Sequence, residues 1–170
     1  FDRQVRTRVT KVAPFLVRDD DRYAVIHDGR IVWIQDAYTV SNRFSYATTT
    51  AQGVNYIRNS VKIVVDAYDG TVTFYLAEPE DPIVQTIAKI FPDLLKPLES
   101  MPADQRAHVR YPEGIFAIQA GVYADRDELH ADLGAAYRAA VRAFAKAGCR
   151  YLQLDEVFIA MLCDAKYRDK

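Results

Sequence analysis

Two adjacent carboxylates, Asp155 and Glu156, close a short apolar run, Tyr151-Leu152-Gln153-Leu154. They are the sharpest candidate site in the chain. An acid pair at a strand end can hold a polar group. It can equally be a solvated strand end, or a cap for a helix that starts at Val157. Asp19-Asp20-Asp21 offers oxygen ligands to a hard cation, yet it lacks the glycine and the later bidentate glutamate of a calcium loop. It reads as a solvated, charged turn. Asn55, Arg58, Asn59, Asp66 and Asp69 make a third polar group in an otherwise apolar region. They can line an edge for a carboxylate or sugar, or cap loops and pair with one another. His27, His108 and His130 lie far apart, and none has a Cys or Ser at a usable spacing for a nucleophilic triad. Cys149 and Cys163 read as buried or half-buried thiols, not as a disulfide framework. These patterns assign no catalytic residue, no metal and no cofactor.

The elements that must position these groups fall into two textures. The chain has 170 residues, is 50% hydrophobic and 12% aromatic, and carries a net charge of −1. That length and composition suit a folded globular protein with a real core. Residues 125–170 hold eight acids and eight bases, so neither part is strongly charged. A near-neutral chain gives no electrostatic case for nucleic acid or an anionic membrane surface. No apolar run reaches the roughly 20 residues that a membrane helix needs, and the start Phe1-Asp2-Arg3 does not read as a signal peptide. The chain does not start with Met, and the expectation is a fragment or a trimmed piece of a longer protein.

Val5, Val9 and Val12 recur at helical spacing up to Pro14. Two apolar runs then flank Asp28-Gly29, and two more flank Asp69-Gly70. Asp-Gly between β-branched runs predicts a tight hairpin turn. Residues 39–53 are rich in Ser, Thr and Asn and read as a long surface loop. Alternation in Val72, Phe74 and Leu76 predicts a strand with one buried face. Asp81-Pro82 is a good helix start, and Ile83, Ile87 and Ile90 form that helix's stripe. Pro97, Pro102 and Pro112 divide the next stretch of chain into short pieces, with helices predicted over residues 103–110 and 113–123. From residue 125 the texture changes. Asp125 or Asp127 caps a long helix with the stripe Leu129, Leu133, Tyr137, Val141 and Phe144, and Gly148 stops it. A short buried strand over residues 150–154 and a further helix over 157–163 come next, the grammar of a parallel α/β unit.

The upstream phrases Arg8-Val9-Thr10-Lys11-Val12-Ala13-Pro14-Phe15-Leu16, Asp28-Gly29-Arg30-Ile31-Val32-Trp33-Ile34-Gln35-Asp36-Ala37-Tyr38-Thr39, Asn55-Tyr56-Ile57-Arg58-Asn59-Ser60-Val61-Lys62, Val65-Asp66-Ala67-Tyr68-Asp69-Gly70-Thr71, Lys89-Ile90-Phe91-Pro92 and His108-Val109-Arg110-Tyr111-Pro112-Glu113 resemble the UPF0182 family of large bacterial membrane proteins. The resemblance covers residues 1–123. It implies a soluble segment that comes after the parent's transmembrane helices and lies outside the cytoplasm. Arg22 departs from the family, which usually has Pro there. Downstream, Leu133-Gly134-Ala135-Ala136-Tyr137-Arg138 and Ala147-Gly148-Cys149-Arg150-Tyr151-Leu152-Gln153-Leu154-Asp155-Glu156, with Leu162-Cys163-Asp164, look like the C-terminal barrel of the cobalamin-independent methionine synthase family. That likeness implies a substrate-binding role for Asp155, and with it Glu156, at a barrel mouth. The family also needs a zinc held in part by a His-x-Cys pair, and this chain has no such pair.

The resulting expectation is an α+β chain. An antiparallel four-stranded sheet of two Asp-Gly hairpins with short helices occupies residues 1–123, and a helix-strand-helix appendage occupies 124–170. The leading reading is a non-enzymatic segment of a UPF0182-like membrane protein with a structural or interaction role. The alternative is an incomplete, inactive fragment of a zinc-dependent methyltransferase. The expected partners are the parent's transmembrane region and, through the helix at 129–144, a second copy of the chain. No small-molecule ligand is assigned.

Overall fold

Asp28 and Gly29 adopt φ angles of 48° and 72°. Two successive left-handed residues let a two-residue turn match the right-handed twist of its strands. From this turn β1 (Val17–His27) and β2 (Arg30–Ser41) run antiparallel, with His27 opposite Arg30. The structure is a computed structural model that describes residues 4–123 and 125–153. β3 (Tyr56–Asp66) pairs antiparallel with β2, and β4 (Val72–Leu76) pairs antiparallel with β3. The connection at Asp69-Gly70 is wider than a two-residue turn. Only Gly70 is left-handed there, and the innermost strand pair is Val65 with Val72. The Asp66 carboxylate causes the widening, because it accepts from the N–H groups of Tyr68 and Asp69 and folds the chain back locally.

The sheet has five strands, not four, in the order β1-β2-β3-β4-β5. β5 (Leu95–Pro97) runs parallel to β4. Parallel neighbours need a crossover, and α2 (Pro82–Ile90) supplies it. Three residues ending in proline carry no period of two, so this strand leaves no pattern to read. The acid run is also not a turn. Asp19, Asp20 and Asp21 lie within β1, where the register shifts between Arg18 and Arg22 as in a bulge. β2 extends to Ser41, so the expected loop begins later, and Thr39 is buried. The remaining helices of this part are α1 (Val5–Val12), α3 (Ala103–Ala107) and α4 (Glu113–Ala120), the last two shorter than expected.

Both faces of the sheet are covered. On the first face Val9, Ala13, Leu16, Ala37, Val61, Ile63, Val65, Phe74 and Val84 form one core. On the second, Tyr23, Val25, Val32, Ile34, Val64, Tyr75 and Met101 form another. β2 is consequently buried at every position from Ile34 to Thr39. Phe74 and its neighbour Tyr75 are both buried, so β4 does not have the single buried face that its alternation suggested.

The chain divides into two compact units, residues 1–122 and 123–170. In the second, α5 (Arg126–Lys146) starts at Asp125, whose carboxylate accepts from the Asp127 N–H. Gly148, at φ 94°, comes just after its end. The strand expected at 150–154 is not formed over its described residues, 150–153, which have no strand partner. The rest of the expected strand-helix lies outside the described residues.

Asp81 ties the first face together. It caps α2, accepting from the N–H groups of Ile83 (3.0 Å) and Val84 (3.4 Å). It also accepts from the hydroxyls of Tyr56 (2.6 Å), Ser60 (2.5 Å) and Thr39. Burial pushes its carboxyl up, but the hydrogen bonds from Ser60, Thr39, Tyr56 and the Ile83 N–H outweigh this and hold it below its ordinary value of 3.8. A carboxyl depressed in the folded state stabilises the fold above its unfolded value and loses that effect as the pH falls through the folded one. Asp81→Asn should therefore cost about 1–2 kcal/mol at neutral pH. The gap from the unsubstituted chain should narrow below pH 3.8. Urea denaturation at neutral and acid pH checks this, and a gap that stays constant would contradict it.

Candidate functional site

Asp36 and Lys62 are directly opposed on β2 and β3, on the second face. They interrupt apolar strands, yet both are at most 5% exposed. The Lys62 ammonium pairs with Asp36 Oδ1. Asn59 Nδ2 donates to the same oxygen at 3.1 Å, and Lys62 Nζ also donates to the Arg110 carbonyl at 3.4 Å. The register shift between Ala37 and Thr39 accompanies the approach of Asn59, since two β3 residues there oppose one on β2.

A second carboxylate lies alongside. The β1 bulge presents Asp19, which is 6% exposed. Its Oδ2 accepts from the Tyr38 hydroxyl and from the Gly114 N–H (3.0 Å), and its Oδ1 from the Asp21 N–H (2.8 Å). Gln35 Nε2 donates to the Asp19 carbonyl at 2.9 Å. A Cβ on Gly114 would meet Tyr38 Oη at 3.0 Å and Asp19 Oδ2 at 3.1 Å, so a side chain there would crowd the bond it completes. Above the pair, the Arg110 N–H donates to Tyr23 Oη at 3.2 Å. The Arg110 guanidinium stacks over the Tyr23 ring, 4.2 Å from its centre.

These contacts pin residues 109–114 across the second face at three points: Lys62 on the Arg110 carbonyl, Tyr23 on the Arg110 N–H, and Asp19 on the Gly114 N–H. The electrostatics result from this closure. Burial, and then the bond to Asp19, push the Tyr38 hydroxyl far above its ordinary range. Burial pushes Asp19 up, but the bonds from Tyr38 and the Asp21 and Gly114 N–H groups outweigh it and hold it down, with Lys62 adding to them. Burial also raises Tyr23. Tyr38 stays a donor and Asp19 an acceptor across the physiological range. Asp19, Asp36 and Lys62 each have at least two protein partners, so the cluster works as a clasp on the strap at 109–114 and not as an open acid–base pair.

Sequence patterns reached this cluster only through Asp19 and Asn59. Asp36 and Lys62 did carry a signal: a charge inside a strand otherwise composed of buried types needs a partner. Tyr23, Tyr38, Arg110 and Gly114 carried none, because only the tertiary fold brings 109–114 onto β1 and β2. The polar group expected along one edge is dispersed. Asn55 caps the Phe44 backbone through both its amide atoms, and Arg58 stacks on Tyr56. Asp66 and Asp69 both pair with Arg30. His27 ends β1 and His108 caps α3, while His130 belongs to the second unit, so no triad is assembled from them. Cys149 is a free, half-buried thiol. Asp155, Glu156 and Cys163 lie outside the described residues.

Removing one member of the Asp36–Lys62 pair would leave the other charged and buried. Lys62→Met or Asp36→Leu alone should each cost about 3–5 kcal/mol. The double variant should cost clearly less than the sum of the two, measured as a double-mutant cycle in urea. Additive losses would mean that the pair is not coupled.

Matches to known proteins converge on the unit that holds this clasp. The model of a family described as "Uncharacterised protein family (UPF0182)" matches residues 1–127. A UPF0182 protein of Alkaliphilus metalliredigens is 53% identical over 125 residues, which are 73% of this chain and 13% of that protein. UPF0182 proteins of Cupriavidus necator and Bradyrhizobium diazoefficiens are each 54% identical over 122 residues, 71% of this chain and 13% of theirs. The chain thus spans only a small part of the length of these curated relatives. No solved structure matches it. The matched residues run from the first helix through the strap and include every member of the clasp, and on that match the chain belongs to the UPF0182 family.

Proposed function

We propose that this chain is a non-enzymatic module of a larger UPF0182 protein, with a structural or interaction role. The observation that carries this reading is the clasp. The buried charged side chains of the first unit among the described residues, Asp19, Asp36, Lys62 and Asp81, bind other parts of the same fold. Catalytic groups need an approach for a substrate, and here the strap at 109–114 is bonded across the first three.

The outer surface supports an interaction role. Phe15 and Phe91 stack with ring centres 5.8 Å apart while 39% and 47% exposed. Val12 and Ile90, close to them in sequence, are exposed too. Large exposed apolar side chains in company are a feature of surfaces that meet a partner. The family resemblance supplies the partner in this proposal, the remainder of the parent protein, with the module outside the cytoplasm beyond the parent's membrane helices. No helix among the described residues is long and apolar enough to cross a membrane. The test substitutes the stack in both contexts. Phe91→Asp should leave the melting temperature of the 170-residue chain within about 2 °C, as expected of an exposed site. In the full parent it should reduce the amount of assembled protein. An unchanged parent would count against the interaction role.

Self-association through α5 is the second part of the proposal. Tyr137, Val141 and Phe144 are exposed along it, and Leu129 and Leu133 half-buried. Light scattering across a concentration series should show reversible dimers. Substituting Tyr137 and Phe144 together by Glu should leave monomers only. Monomers of the unsubstituted chain at all concentrations would refute it.

A further inference from the structure

We propose that His27 and Asp28, with Asp104 behind the imidazole, form a site for a divalent ion of the zinc class at the β1–β2 turn. The three side chains offer ligand atoms that all lie within 4.8 Å of one another. They come from two places in the chain, the hairpin tip and the first turn of α3.

The geometry divides their roles. His27 Nδ1 lies 2.5 Å from Asp104 Oδ2, a charge-assisted hydrogen bond. That bond places the ring proton on Nδ1 and leaves the lone pair on Nε2. His27 Nε2 is 3.7 Å from Asp28 Oδ2, beyond hydrogen-bond range. In the neutral ring both of these atoms are acceptors, so a cation fits between them, either a second ring proton on Nε2 or a metal ion that displaces it. Two ligands about 2.1 Å from one ion at a tetrahedral angle stand roughly 3.4 Å apart. The observed gap closes to that value with a small rotation of the Asp28 side chain, which is 86% exposed and free to turn. Asp104 is then the positioning residue, as the carboxylate is in a carboxylate–histidine–metal triad.

Two further features favour the site. The turn holds Asp28 at φ 48°, so its backbone is placed by the hairpin and not by the ion. Arg30, the next base along the chain, is committed to Asp66 at 2.8 Å and to Asp69 at 3.2 Å. Its charge is therefore engaged elsewhere and leaves Asp28 to the ion. An imidazole with one carboxylate selects zinc, copper or nickel over magnesium and calcium, which prefer all-oxygen sites. Waters would complete the coordination, so the site is of modest affinity.

Zinc chloride titrated into the full chain at pH 7, followed by calorimetry and by the His27 ring resonances, tests this. Binding should move the Nε2 resonance of His27, and magnesium should not. His27→Gln should abolish this event. Asp104→Asn should weaken it about 10- to 100-fold through the ring's orientation. Asp28→Asn, whose new side chain tolerates the left-handed turn, should weaken it without loss of fold. Urea midpoints of the three variants confirm that they are folded. Zinc binding with unchanged affinity and stoichiometry in folded His27→Gln would overturn the proposal, as would an unmoved His27 resonance at millimolar zinc.

Discussion

The first unit is organised around opposite charges placed where water does not reach. Asp36 and Lys62 face each other across the two central strands. Two bare charges in such a place are costly, and their attraction offsets the cost only when the remaining lone pairs and protons are also satisfied. Asn59, donating to Asp36 Oδ1, and the Arg110 carbonyl, accepting from Lys62 Nζ, meet part of that requirement. The pairing also discriminates between registers. A one-residue slip of β3 along β2 would turn Lys62 to the face occupied by Val9, Ala37 and Ile63. An unpaired ammonium among those side chains is far less stable than the observed state. Register discrimination is thus a second contribution of the pair, beside its attraction.

The same logic operates on the other face with Asp81. There a single carboxylate collects donors from β2, β3 and the first turn of α2. Each face of the sheet therefore has a buried acid whose donors come from segments far apart in sequence. Asp19 extends the pattern to the edge strand and the strap. Such bonds form only when the sheet, the helices and the strap are all in place. Partial structures would leave these carboxylates desolvated and under-bonded, which raises their free energy relative to both the folded and unfolded states. The design favours all-or-none formation of the unit.

Local features of the sequence made much of this visible. Apolar runs around Asp28-Gly29 marked the hairpin of β1 and β2, and Asp81-Pro82 marked the start of α2 with its actual cap. These signals are local because the physics is local: a left-handed turn and a helix terminus each involve a few consecutive residues. The errors have one cause. β5 exists because α2 returns the chain alongside β4, and three residues contain no information about that return. Asp19-Asp20-Asp21 reads as solvated because three acids in a row repel. It sits in a strand because Tyr38 and Gly114, distant in sequence, supply donors to one of the three. The clasp was half legible. A lysine inside Val61-Lys62-Ile63-Val64-Val65 demands a partner. The pattern cannot say that the partner is Asp36 or that residues 109–114 close over both.

Four charged side chains among the described residues, Asp19, Asp36, Lys62 and Asp81, lie in the interior, and several large apolar ones lie at the surface. Charged and hydroxyl groups converge inside, where they bind backbone and one another, while Phe15, Phe91 and Ile90 stand in solvent. A chain that had to be soluble alone would gain by covering those rings. On the proposed reading, in which the chain is a module of a longer protein, the optimum differs, because an outer face can be another part's interior. On that view the buried clasp and the exposed stack are complementary. The clasp ties the sheet together from within, so the fold does not depend on covering those exposed side chains. Rigidity matters here, since a docking face held in one geometry loses less conformational freedom on contact. On the proposed reading the buried charges serve the fold and leave the outer face to a partner.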